Sequence, residues 1–173
     1  MGDSDQFRLH TTPLKNIHWF RWNTNELYRL NADSKNWELR DDLTINQRFL
    51  FFANVVHLPN DQGCFLLGGT DNDNNYSKRT QFFVKYNLLL EKTPMLNKRA
   101  FFSSVFVKLE NSLFVFGGSD TDTSDLAVCE KYSLIESVWR PIAPMKIARN
   151  GTAAVIFENY RLIFVFGGNN HKT

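Results

Sequence analysis

The chain has 173 residues, 43% hydrophobic and 14% aromatic with 16 phenylalanines, which is enough apolar material for a core and excludes a disordered segment. Its 20 basic and 18 acidic residues leave a net charge of +2 without blocks of like charge, which argues against a nucleic-acid partner. The first thirty residues carry no signal-peptide core and no run approaches the ~18 apolar residues of a membrane span, so no membrane partner and a cytoplasmic location are expected.

Residues 1–16 read as a polar N-terminal tail. Aromatic text begins with Ile17, Trp19, Phe20 and Trp22. A short strand over Glu26–Leu30 is followed by a turn of Asn31, Ala32, Asp33 and Ser34, whose polar side chains bond the local backbone, and another strand begins at Trp37. Next come the runs RFLFFANVV and CFLLGG, joined by a loop with Pro59, Asn60, Asp61 and Gly63. The hairpin returns as FFSSVFV with SLFVFGG, and again as GTAAVIF with LIFVFGG. Short β-branched and aromatic runs between turn residues predict strands, and no stretch sustains helical spacing.

The glycine doublets Gly68-Gly69, Gly117-Gly118 and Gly167-Gly168 close the three apolar runs at intervals of 49 and 50, the sign of a repeat architecture. Arg48, Arg99 and Arg149 open the hairpins at intervals of 51 and 50, and Pro94-Met95 and Pro144-Met145 precede the last two. Polar loops follow the first two doublets, each leading to a strand with Lys-Tyr, at Lys85-Tyr86 and Lys131-Tyr132, and Trp139 comes seven residues after Tyr132. Trp37 stands before Arg48 much as Trp139 stands before Arg149.

Arginine, apolar hairpin, Gly-Gly, polar loop, tyrosine, tryptophan and Pro-Met, in that order over roughly residues 24–168, resemble the kelch repeat, one four-stranded blade of a β-propeller. The resemblance implies an all-β, incomplete kelch-type propeller of about three blade-equivalents. Residues 17–47 would be the outer half of a blade, 48–98 and 99–148 two repeats, and 149–173 an inner half. The second of the tyrosine-bearing strands has its tryptophan; the first has none, and its turn is four residues shorter, since Tyr86 to Pro94 is 8 and Tyr132 to Pro144 is 12. Leu30 holds the tyrosine place in the N-terminal segment. Three blades do not close a ring, so completion by further repeats, head-to-tail self-association or cover by another protein is expected.

Structural roles are expected for Gly68, Gly69, Gly117, Gly118, Gly167 and Gly168, which leave the strand where a Cβ would clash, and for Tyr86, Tyr132, Trp37 and Trp139, which pack between sheets. The same resemblance sets Arg48, Arg99 and Arg149 at the channel mouth beside the loops 70–80, 119–126 and 169–171. With Asp71, Asp73, Asp120 and Asp122 they are the candidate partner-binding residues, and the arginine forks suit an acidic peptide motif. The competing reading is that these arginines tie blade to blade by bonding strand-end carbonyls. Trp19, Trp22 and Tyr76 offer an alternative carbohydrate-binding reading. An oxidase or sugar-modifying enzyme on the same fold is the remaining alternative. It is disfavoured because Cys64 and Cys129 lie in core-like strands and His10, His18, His57 and His171 lack metal spacing. The expectation is a non-enzymatic protein-interaction module with no catalytic residue, metal or cofactor, its two cysteines buried as free thiols.

Overall fold

The computed structural model describes residues 18–21, 24–31, 33–40, 48–59, 62–84, 88–157 and 161–170. The tail 1–16 and Trp22, Tyr86, His10 and His171 lie outside them. The strands are β1 (His18–Phe20), β2 (Leu27–Leu30), β3 (Trp37–Leu39), β4 (Asn54–His57), β5 (Gly63–Leu67), β6 (Thr80–Val84), β7 (Leu88–Lys92), β8 (Ser103–Val107), β9 (Ser112–Phe116), β10 (Ser119–Thr121), β11 (Ser124–Asp125), β12 (Cys129–Ser133), β13 (Val138–Ile142), β14 (Asn150–Phe157) and β15 (Leu162–Asn169). All pair antiparallel. The sheets are β1-β2-β3, β4-β5-β6-β7, β8-β9-β12-β13 and β14-β15, with β10-β11 a small ribbon in the second polar loop. The only helical element among the described residues is a one-turn 3-10 segment at Lys108–Glu110.

The two four-stranded sheets are successive meanders, and each second strand, β5 or β9, is buried along its whole length. Alternation along that strand sends neighbouring residues to opposite neighbours in the stack. Cys64 and Leu66 pack with Phe20, Leu27, Phe49 and Phe83 against the first sheet. Phe65 and Leu67 face the other way and meet Leu113, Val115, Tyr132 and Trp139 of the next sheet. Phe114 and Phe116 in turn pack towards Ala154, Ile156, Ile163 and Val165 of the β14–β15 hairpin. Among the described residues the core is therefore three apolar layers between four sheets, arranged as an incomplete, unclosed propeller.

The innermost strands are drawn together by small polar side chains. Asn54 Nδ2 donates to the Phe102 carbonyl at 2.9 Å, Ser104 Oγ donates to Asn54 Oδ1, and Ser103 and Thr152 share a hydroxyl bond of 2.9 Å. Residues this small let the strands converge towards the axis.

Strand register corrects two alignments made on residue type. Phe51 bridges Thr70 and Ala100 bridges Ser119, while Asn150 pairs with Asn169. Leu50, not Arg48, is thus the counterpart of Arg99 and Arg149. Likewise Thr80 pairs with Leu67 as Cys129 pairs with Phe116, so Phe83 rather than Tyr86 occupies the place of Tyr132. Leu89, opposite Phe83, takes the place of Trp139, opposite Tyr132. Measured from Phe83, the span to Pro94 is 11 residues, one short of the 12 from Tyr132 to Pro144, so the four-residue deletion disappears. The N-terminal segment also supplies three strands, one more than half a blade.

Among the doublets, Gly117 and Gly167 share one backbone conformation, at φ +61° in both, but differ in surroundings. A Cβ on Gly117 would lie 2.5 Å from the Arg149 carbonyl oxygen, whereas one on Gly167 would meet nothing within 4 Å. Alanine in the left-handed region costs about 1–2 kcal/mol at either site, and only Gly117→Ala adds a backbone collision. Urea midpoints of the two variants should differ, with Gly117→Ala far the lower. Equal midpoints would contradict this packing.

Candidate functional site

Each sheet after the first begins with a lead-in segment that crosses from the previous blade, and Arg99 lies at the end of one such segment. Its amide donates to the Ser77 carbonyl at 2.9 Å, and its carbonyl accepts from the Gly69 amide at 2.9 Å, both in the preceding blade. Its side chain reaches the opposite way. Nη1 donates to the Gly117 carbonyl at 2.6 Å and the Val128 carbonyl at 3.1 Å, and Nη2 pairs with Glu130 Oε1 at 2.5 Å. Arg99 is 0% exposed and so is Glu130. The same carboxylate accepts from the Leu96 amide at 2.7 Å and from the Asn97 amide and side chain at 3.1 and 3.0 Å. A charge pair with this many bonds is tolerable out of water because nearly all its donors and acceptors are satisfied. Only Arg99 Nε has no partner.

Arg149 repeats the pattern on the hairpin. Its amide donates to Leu126 at 3.2 Å, its carbonyl accepts from Gly118 at 2.9 Å, and its Nη1 donates to the Gly167 carbonyl at 2.8 Å. Arg99 is therefore not a group offered at a channel mouth, because its donors are turned into the blade. Arg149 spends a donor in the same manner. Arg48 is exposed and sits two residues away from the equivalent position. Where Leu50 replaces the arginine, Gln81 replaces Glu130, so a buried carboxylate without its cation is avoided.

Trp139 and Tyr132 lie in the layer between the four-stranded sheets, with ring centroids 5.1 Å apart and Phe65 5.8 Å from Tyr132. The indole Nε1 donates across the layer to Thr80 Oγ1 at 3.2 Å and the Thr93 carbonyl at 3.0 Å. Trp37, placed by register on the side of the first sheet away from the next blade, is 45% exposed. It does not share the burial of Trp139, because no described sheet packs on that side. Cys64 and Cys129 are buried free thiols, and burial pushes the Cys64 thiol up to about 12. No group of three or more His, Cys, Asp or Glu side chains among the described residues is placed to hold a metal ion.

A combination of short turns, Gly-Gly corners and the Pro-Met lead-in recurs from Arg99 onward, and residues 99–146 match the family model for the Kelch motif. The chain carries a kelch repeat. No curated protein matches it. The matched segment is the blade with both its arginine–glutamate pair and its Tyr132–Trp139 pair, whereas the preceding blade has Leu50, Gln81, Phe83 and Leu89 at those places.

On the loop side of the blades, Asp71, Asp73, Asp120, Asp122 and Asp125 stand beside the exposed Lys78 and Lys98. Asp71 is mainly a loop organiser: its carboxylate accepts from the Asp73 and Asn75 amides, both at 2.9 Å, and Asn75 bonding holds its pKa below the usual carboxylate range. Asp73 is exposed, and Asp120 and Asp122 line a cleft with Asn74, Asn75, Tyr76, Lys98 and Thr121. The Tyr76 hydroxyl donates to Asp122 Oδ1 at 3.1 Å and so joins the loops of two blades. Asp125 accepts from Ser119 at 3.0 Å and from Asn150 at 2.6 Å, joining the second loop to the hairpin. At the same end of the blades, Phe52 and Phe101 stack with centroids 4.1 Å apart. Both rings are exposed and both residues have positive φ, 53° and 56°, where bulky side chains are rare; the third repeat has Gly151 there. Sequence reading missed this pair. Its only sign was the glycine two residues after Arg149, marking a left-handed position in the repeat.

The field of these carboxylates is felt by Tyr76. Desolvation first, and then Asp122, Asp120 and Asp125, push its phenol up to about 12. A raised phenol pKa means that the neutral form is favoured in the folded chain. Tyr76 should therefore stay protonated through pH 10–11, where an ordinary tyrosine ionises. In a phenolate absorbance titration, Asp122→Asn should lower the Tyr76 midpoint, while desolvation, the larger cause, keeps it above that of an ordinary tyrosine. An unchanged midpoint would show that Asp122 does not act on the Tyr76 phenol.

Proposed function

We propose that the chain is a kelch-type protein-interaction module whose loop face takes a positively charged segment of a partner protein. The observation that carries this reading is a division of charge. Arg99 spends its donors inside the array and Arg149 gives one to the exposed Gly167 carbonyl, while Asp73 and Asp122 remain exposed beside the blades. This reverses the polarity expected from the sequence, where arginines at the mouth suited an acidic peptide.

The Phe52–Phe101 stack supports the same partner. An aromatic face attracts ammonium and guanidinium groups by cation–π interaction, and carboxylates nearby hold the same cations by charge-assisted hydrogen bonds. Backbone strain at bulky residues persists only where the surroundings hold it, and it concentrates at binding sites. Kelch blades also suit the role mechanically, since loops carried on rigid sheets keep their geometry on binding.

Fluorescence anisotropy with a lysine- and arginine-rich peptide, against a glutamate-rich peptide of equal length, tests the reading. The basic peptide should bind with an affinity that falls as salt rises. The pair Asp73→Asn and Asp122→Asn should weaken it by about three- to tenfold, as rim charges do. Phe101→Gly should weaken binding while leaving the fold intact, because the third repeat already uses glycine there. Preference for the acidic peptide would overturn the proposal.

A further inference from the structure

We propose that the outward face of the β14–β15 hairpin docks a second copy of this chain, which presents the opposite, outward face of its β1–β2–β3 sheet. The argument starts from the alternation that builds the internal layers. In β15, Ile163 and Val165 point back into the layer shared with the preceding blade. Phe164 and Phe166 therefore point forward, as Phe65 and Leu67 do in β5, where the next sheet covers them. Here they are 44% and 50% exposed. Pairing of Val155 with Phe164 and of Phe157 with Leu162 puts these side chains on the same forward face. The rings form a continuous surface: Phe157 and Phe164 are 5.3 Å apart, and Phe164 and Phe166 are 6.0 Å apart. The patch is on the order of 400 Å², the size at which exposed apolar surface marks an interaction site.

The glycine corner beside this patch is also shaped for a neighbour. At the internal junctions a Cβ on Gly68 or Gly117 would strike the carbonyl of Arg99 or Arg149, 2.3 and 2.5 Å away. Those carbonyls accept from the Gly69 and Gly118 amides, each at 2.9 Å. Gly167 keeps the same φ of 61° with no atom within 4 Å of its Cβ position. The corner thus has the form that receives a following blade.

The complementary half is on the same molecule. Phe20 and Leu27 of the first sheet face forward, into the layer with Cys64 and Leu66. Register pairs Leu30 with Trp37 and Tyr28 with Leu39, which sets these four on the backward face. Tyr132 and Trp139, the corresponding cross-strand pair in the matched repeat, fill the backward face of their own blade and dock on the forward face of the preceding one. Trp37 and Leu39 are large exposed hydrophobic residues. Neither face sets a charged side chain among these positions, so docking buries no unpaired charge. A forward face on one copy against a backward face on the next reproduces the internal junction. The interface is then heterologous, using different surfaces on the two partners.

Sedimentation of the 173-residue chain between about 1 and 100 µM tests this, the range in which an interface of this class registers. Association that increases with concentration is expected. Phe164→Asp and Trp37→Asp, both at exposed positions, should each weaken it by at least about thirtyfold, the loss expected on removing an aromatic anchor, while each variant still unfolds cooperatively in urea. Mixing the two variants should restore a one-to-one dimer, because each retains the face that the other lacks. A wild type that stays monomeric overturns the proposal. So does association that neither variant weakens, or a mixture that stays monomeric while wild type associates.

Discussion

Arg99 is the residue on which the junction between the two complete blades depends. Its backbone is bonded to Ser77 and Gly69 of one blade, and its side chain to Gly117, Val128 and Glu130 of the next. A buried charge pair costs desolvation that its mutual attraction alone rarely offsets. What it supplies here is position: the 95–99 segment is held at once to the Glu130 carboxylate and, through Arg99, to the strand-end carbonyl of Gly117. The Gly-Gly corner follows from that placement, since the Arg99 carbonyl occupies the volume a Cβ on Gly68 would need. The three conspicuous sequence features of the repeat, arginine, methionine and double glycine, thus meet at one contact, with Met95 packed against the same glycine.

This economy has a functional consequence. Arg99, buried and bonded within its blade, is not offered to a ligand, and on the proposed reading the chemistry of the loop face falls to what the loops themselves carry. Those loops are rich in aspartate because Asx side chains close short turns, as Asp71 does for Asp73 and Asn75. Turn-forming chemistry therefore leaves carboxylates on this surface as a by-product, beside Lys78 and Lys98, and Tyr76 and the Phe52–Phe101 stack add an aromatic complement.

The all-β class, the hairpins and the glycine corners were legible because period-2 alternation and φ > 0 are written directly in residue types. Register was less legible. Arg48 and Lys85-Tyr86 matched their supposed counterparts by residue identity, yet the doublet spacing of 49 already disagreed with the arginine spacing of 51, and it was the glycines that marked backbone position. The direction of the arginine side chains was not written locally at all. Its one sign was Glu130, a carboxylate on the same strand face as Tyr132, a place that burial permits only with a cation opposite. The Phe52–Phe101 pair was hidden for a related reason: residues held in an unfavourable conformation by their surroundings look ordinary in a sequence.

A double-mutant cycle on Arg99 and Glu130 tests the junction most directly. Arg99→Leu or Glu130→Gln alone strands a buried partner and should cost about 3–5 kcal/mol in urea unfolding. Both together reproduce the Leu50 and Gln81 of the preceding repeat, so the double variant should be more stable than the Arg99→Leu single, with a coupling of about 2 kcal/mol or more. Losses that simply add would contradict the account, since they would mean that the arginine and the glutamate hold the blades independently.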